Sequence, residues 1–231
     1  MLRLCCLWHV YGVLIIMFEG LPICIVDIEV AHSPADVPTG WNDKAALGLS
    51  IGAYYDYRDG LVHWFDRSVL AETVRSWVLD EVLLVSFNGI HFDFGVLAAV
   101  LFDAGDGALA DDLTTLAANS YDILAEVWHI TGRDYAKGNS LDALCQVNNL
   151  GRKTGHGAHA LRLWQEGRIA EVLNYCQNDV MLTKKLFELV AAQRGVLKRS
   201  AGPVRIRYIE NVQGVPMMVV PEKQSPREQS A

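Results

Sequence analysis

The chain has 231 residues, of which 51% are apolar and 20% charged, and its net charge is −7. That length supports one well-buried domain, is short for two, and carries an ordinary globular composition. The negative charge argues against a scaffold that grips nucleic acid through a basic coat, but not against an enzyme whose site is an acidic cage for cations. Five cysteines (Cys5, Cys6, Cys24, Cys145, Cys176) form no CxxC pair and no zinc-spaced cluster. They read as small buried fillers in a reducing cytoplasm.

Leu4 to Met17 is almost wholly apolar, broken by His9 and Gly12, with Arg3 ahead of it. A membrane span needs roughly 20 such residues, so no stable membrane partner is expected. The run has the character of a signal-peptide core, but no small-x-small cleavage site follows in Phe18–Pro22. The reading adopted is that translation starts at Met17 and residues 1–17 are an apolar extension.

Ile23 to Val30 (ICIVDIEV) predicts a buried strand. Leu47 to Tyr57 predicts a second strand, turned at Arg58-Asp59-Gly60 into a third, Leu61 to Phe65. Ser68 to Asp80 has helical spacing with Ser68 as candidate cap, Val82 to Phe87 is another buried strand, and a helix begins near Asp93. Gly105 to Asp112 reads as a Gly- and Asp-rich loop, and Ser120 to Leu124 as a short strand entering a helix. Short helices over Ser140–Leu150 and Ala158–Gln165 flank the loop GRKTGHG, and Ile169 to Gln193 is one long helix. Val204–Glu210 and Val215–Val220 predict a hairpin, and the last ten residues a disordered tail. Strands in hairpin order followed by alternating strands and helices imply an α/β fold with a mixed sheet. The expected organisation is an extension over 1–17, a main domain over 18–193, a C-terminal hairpin over 194–221 and a tail over 222–231.

Three places carry candidate chemistry. Asp27 and Glu29 are two apart on an apolar strand, so both carboxylates share a face. Their repulsion and lost hydration are relieved either by a divalent cation or by a solvated strand end. Asp93 closes the turn Phe87-Asn88-Gly89-Ile90-His91-Phe92-Asp93 after a buried strand. It reads as a helix cap, as a ligand at the sheet's carboxyl edge, or as both. Tyr175 and Asp179, four apart on the long helix, flank its apolar stripe, where an aspartate needs a lysine, a helix end or a metal beside it.

Read in order, the Asp-x-Glu strand, the Asn-x-x-x-Phe-Asp turn and the late Tyr-x-x-x-Asp helix resemble the three exonuclease motifs of the DEDD superfamily, which has a ribonuclease-H-like fold. Tyr175 indicates the DEDDy branch; the other branch has a histidine five residues before the last aspartate, where Asn174 stands. The stretch LDALCQVNNLGRKTG…LWQEG…YCQNDVMLTKKLFEL resembles the YprB-type ribonuclease-H-like group and family-B polymerase exonuclease domains. The resemblance spans Ile23 to Leu189. Val30 departs from it, since many relatives have threonine there. The resemblance implies a five-stranded ribonuclease-H-like sheet, two Mg²⁺ or Mn²⁺ ions and 3′–5′ hydrolysis at a DNA or RNA 3′ end. It assigns the metals to Asp27, Glu29, Asp93 and Asp179, the orientation of the attacking water to Tyr175, and contacts with the terminal nucleotide to Asn88 and Phe92, with core packing the other reading of Phe92. Oxygen-only ligands suit these ions, and such paired ions, about 3.5–4 Å apart, support in-line displacement.

Asp122 reads as a helix cap or supporting acid, His91, His156 and His159 as loop or surface residues, and Trp128 and Trp164 as core. From Thr131 to Arg168 six basic residues stand against three acids, opposite in sign to the whole chain. That stretch is either a solvated face or a guide in which Arg152, Lys153 and Lys137 lead the substrate backbone to the acids. Two other functions stay open on the same fold, a structure-specific endonuclease and a catalytically idle nucleic-acid-binding or adaptor domain.

Overall fold

β1 (Ile23–Val30) is buried on both sides, which its sequence requires. Ile23 and Ile25 enter one apolar cluster, while Cys24, Val26 and Ile28 enter a second on the opposite face. Each of the isoleucines and Val26, fully buried, contributes about 1.5–3 kcal/mol. A strand with this pattern belongs in the middle of a sheet covered on both faces. The structure, a computed structural model, describes residues 17–133, 138–155 and 157–221. Lys137, His156, nearly all of the apolar extension and the 222–231 tail lie outside the described residues.

β2 (Leu49–Asp56) and β3 (Leu61–Phe65) add to one side of β1 as antiparallel neighbours; β4 (Leu83–Ser86) and β5 (Tyr121–Asp122) add to the other in parallel. The result is a mixed five-stranded sheet of order β3-β2-β1-β4-β5, flanked by helices. One face is covered by α2 (Leu70–Leu79), α3 (Asp93–Asp103) and α4 (Gly107–Ala118), the other by α5 (Ile123–Thr131), α6 (Leu141–Val147), α7 (Gly157–Gln165) and α8 (Ile169–Ala192). A one-turn helix α1 (Lys44–Leu47) packs beside α3. None of the helices among the described residues is long and apolar enough to cross a membrane.

The expected α/β class and mixed sheet hold, with local corrections. The segment read as a Gly- and Asp-rich loop opens helix α4: Asp106 accepts the Leu109 N–H as its cap, and Leu109, Ala110 and Leu113 bury one side. Ser68 does not cap α2, because its hydroxyl and N–H both bond Asp66; Val69 stands at the cap without a side-chain bond. The second strand begins at Leu49 rather than Leu47, after α1. The long strand expected over Val204–Glu210 is broken into β7 (Val204–Arg205), which pairs with β6 (Val196–Leu197), and β8 (Tyr208–Val212), which forms a hairpin with β9 (Val215–Val219). Ile206 and Tyr208 at that break enter the main cluster.

Candidate active site

The acids of β1 lie on its carboxyl half and share the face covered by α8. That helix buries Val172, Cys176 and Val180 as its apolar stripe, and the same side delivers Asp179, 1% exposed. Single carboxylate oxygens of Asp27, Glu29 and Asp179 all lie within 4.8 Å of one another. Asp93 comes from the opposite face of the sheet as the first residue of α3. It does not cap that helix through its side chain. Instead its Oδ1 accepts the Ile28 N–H at 3.1 Å, between the two acids of β1, and Asp93 stands outside the three-acid cluster.

Crowding buried carboxylates raises their proton affinity. Burial, reinforced by Asp179, Asp93 and Glu29, pushes Asp27 well above the usual carboxylate range. Burial and Asp179 push Glu29 up to about 8. Asp93 rises to about 7, chiefly through burial, against the bond from Ile28. Asp179 is also raised by burial, against Lys153.

Lys153 is the compensating charge. Its Nζ lies 2.5 Å from Asp179 Oδ2 and 5.6 Å from the centre of the Tyr175 ring. Burial works against its ammonium form, but the pull of Asp179 and Asp27 prevails and holds its pKa above the ordinary lysine value. The backbone N–H of Lys153 donates to Asp142 Oδ1 at 2.9 Å, so an acid on α6 fixes the loop that carries the lysine. The second Asp179 oxygen, Oδ1, is buried without a hydrogen-bond partner. The Tyr175 hydroxyl donates to the Gly155 carbonyl at 3.3 Å, and burial pushes this phenol above its usual pKa. Cys176 Sγ lies 3.3 Å from the Asp27 carbonyl oxygen and 3.5 Å from its Oδ2.

Asp122, read as a cap or supporting acid, does both jobs from a position 1% exposed. Its Oδ1 accepts the N–H groups of Leu124 and Ala125 at the start of α5 and that of Asn88, while Oδ2 accepts from Ile90. The loop leading to Asp93 is thereby anchored. Asn88 takes φ +76°, and a Cβ at Gly89 would lie 2.5 Å from Ser86 Oγ, so the Asn-Gly pair is demanded by backbone and space together. Phe92 is half-buried against the α3-side cluster, with the Lys44 ammonium 4.2 Å from its ring centre and the Trp41 indole 5.4 Å away edge-on. Arg152 is exposed on the loop beside Lys153.

Of the residues singled out in the sequence, Asp27, Glu29, Asp179, Tyr175 and Lys153 are brought together, Asp93 lies at the same strand end, and Asn88 and Phe92 occupy the adjoining loop. His91 is exposed, and Trp128 and Trp164 pack in or against the core. Sequence reasoning missed Trp41, Lys44, Cys176 and Asp142. The first two gave no signal, because they sit in a Pro- and Gly-punctuated stretch without periodicity. Cys176 looked like one more member of an apolar stripe.

A donor set of carboxylate oxygens alone, one of them buried and unpartnered, fits a hard divalent cation such as Mg²⁺ or Mn²⁺. Residues 117–217 match a family model described as a predicted 3′–5′ exonuclease related to the exonuclease domain of PolB. The structure of the family B DNA polymerase from the hyperthermophilic archaeon Pyrobaculum calidifontis has a similar fold, with a TM-score of 0.52 at 15% identity. Over residues 117–217 the chain is similar to this predicted exonuclease family, and the likeness to the polymerase is one of fold. The structural likeness to the polymerase covers 73% of this chain and 24% of the polymerase, so the chain spans about a quarter of that protein's length. The family match includes Asp122, Lys153, Tyr175 and Asp179 but begins after β1 and Asp93. None of the curated proteins matches the sequence.

Proposed function

We propose that the chain is a metal-dependent 3′–5′ exonuclease that hydrolyses phosphodiester bonds from the 3′ end of single-stranded or frayed DNA or RNA. The observation that carries this reading is the convergence of Asp27, Glu29 and Asp179 to within 4.8 Å around a buried carboxylate oxygen with no hydrogen-bond partner. The direction of digestion is supported by the description of the matching family. Asp27, Glu29 and Asp179 would hold Mg²⁺ or Mn²⁺, with Asp93 contributing from the other face of the sheet. When bound, such ions activate water and neutralise charge on the departing oxygen.

The chain's own residues do the rest. A water oxygen bonds to the phosphorus and its proton passes to solvent, the bond to the 3′ oxygen of the preceding nucleotide breaks, and that oxygen takes a proton from solvent. The products are a nucleoside 5′-monophosphate and a strand one residue shorter. Tyr175, whose phenol stays protonated at neutral pH, orients the water and does not act as a base. Lys153 offsets the charge of Asp179 and presents its ammonium to the phosphate as the strand arrives. Asn88 and Phe92 border the terminal nucleotide, while Arg152 and Lys137 guide the backbone by charge.

The test is digestion of matched DNA and RNA oligonucleotides, 5′-labelled linear and circular, with Mg²⁺, Mn²⁺ or EDTA. Stepwise shortening from the 3′ end, intact circles and full inhibition by EDTA are expected. Cut circles would replace this reading with the endonuclease. Uncleaved linear strands under every metal would replace it with an idle binding domain.

A further inference from the structure

Trp41 is the feature outside the acid cluster that most needs an explanation. It lies in a short 3₁₀ turn, Gly40–Asn42, with its indole 60% exposed. A large exposed aromatic is unremarkable on a mobile tip, but this segment is tied down. Ala31 and His32 donate to the Leu47 carbonyl, Gly40 to Val37, Asn42 to Thr39 and Asp43 to Gly40. Asp43 then caps α1 through the Ala46 N–H. The backbone that carries the indole is therefore held by local hydrogen bonds, while most of the indole is open.

Its neighbours indicate what it faces. Trp41 meets the Phe92 ring at 5.4 Å and 71°, and Phe92 directly precedes Asp93. Lys44, three residues beyond Trp41, places its ammonium 4.2 Å from the centre of the same Phe92 ring. The lysine stem lies against Gly95 of α3, where an added Cβ would make ordinary van der Waals contact with Lys44 Cγ at 3.6 Å. An open aromatic and a cation, both against the Phe92 ring on the α3 side of the acids, complement Lys153 and Arg152 on the α8 side. A net charge of −7 makes such local cations significant for a polyanion.

We propose that Trp41 and Lys44 form a second subsite for single-stranded nucleic acid, in which one nucleobase stacks on the Trp41 indole and a backbone phosphate lies at Lys44. Single strands are held in this way, with stacked bases tolerating any sequence and cations tracking the backbone. The subsite deepens the exonuclease reading by giving the strand an approach over the N-terminus of α3, and it rests on that reading for the direction of travel. Binding itself needs no cleavage.

The test uses the full chain in EDTA, with oligo-dT and oligo-rU followed by fluorescence anisotropy. Trp41→Ala should weaken binding roughly 5- to 150-fold, the range expected for losing one stacked base, whereas Trp41→Phe should retain most of the affinity. Lys44→Gln should weaken binding and reduce the slope of log affinity against log salt by roughly 0.7. A series of oligonucleotides with one abasic residue at successive distances from the 3′ end provides the decisive reading. At one position, or two adjacent ones, the base deletion should weaken wild type and leave Trp41→Ala unaffected. Unchanged affinity in Trp41→Ala, or a penalty equal at every abasic position, would overturn the subsite. Cleavage with Trp41-independent binding defeats the subsite alone. Trp41-dependent binding without cleavage under any metal defeats the exonuclease reading and leaves the subsite standing.

Discussion

Replacing Lys153 with methionine should destabilise the metal-free protein and make its stability depend more steeply on divalent metal. The ammonium is 2.5 Å from Asp179, and its side chain is 28% exposed while that of the aspartate is 2% exposed. Breaking a buried ion pair by removing one partner costs about 3–5 kcal/mol, because the other charge stays buried. Partial exposure of the lysine brings the expectation down to about 2–3 kcal/mol. At about 2–4 °C per kcal/mol for a domain of this size, the midpoint should fall by about 4–12 °C in EDTA. Saturating Mg²⁺ should restore most of that loss, since a divalent ion supplies the missing positive charge. Asp179→Asn should change metal-free stability far less, because it removes the pair and the repulsion from Asp27 and Glu29 together. Adding it to Lys153→Met should recover much of the stability. Thermal or urea melts of the four proteins in this cycle, with EDTA and with Mg²⁺, measure all of this. A Lys153→Met protein as stable as wild type in EDTA, or one that Mg²⁺ leaves unmoved, would refute the charge balance argued for these acids.

Tyr175→Phe keeps the ring and loses the hydroxyl, so turnover should fall through kcat with metal and oligonucleotide binding preserved; single-turnover cleavage alongside calorimetric metal titration checks both. Arg152→Ala should raise KM and flatten its salt dependence while kcat holds, which steady-state kinetics at several salt concentrations will read. Stability in EDTA should decline as pH rises from about 4.5, where unfolded carboxylates ionise, to about 8, where Glu29 follows in the folded state. The sign follows from the raised folded value: protons bind the native state more tightly, so losing them costs stability. A flat melting profile over that window would contradict it, and Mg²⁺ should lessen the slope.

Much of this was legible in the sequence because buried strands and long amphipathic helices carry strong periodicity. ICIVDIEV announces a strand covered on both faces, and its alternation alone puts Asp27 and Glu29 side by side. The helix from Ile169 shows its stripe over six turns, so Asp179 at the stripe's flank was readable too. Three-dimensional convergence was not: Lys153 looked like one charge in a basic loop, and only the folding of that loop over α8 brings its ammonium to Asp179. Gly105–Asp112 misled because three aspartates and two glycines outweigh the leucine spacing that tertiary packing of α4 rewards. Of the two roles read for Asp93, cap and ligand, the cap is not made by its side chain, which bonds an amide 65 residues away.

β1 and β4 pair only from Ile23↔Leu83 to Ile25↔Val85, whereas β1 continues alongside β2 to Val30. Beyond Ile25 the two parallel strands part, and Asp93 fills the opening by capturing the Ile28 N–H. One amide thus becomes a reporter for the whole cleft, since its proton is shielded by a side chain rather than by a neighbouring strand. In Asp93→Ala the Ile28 amide should exchange with deuterium far faster, while that of Ile25, deep in the shared ladder, keeps its slow rate. Local loosening at the seam between diverging strands would then be visible one residue at a time, without a substrate and without turnover.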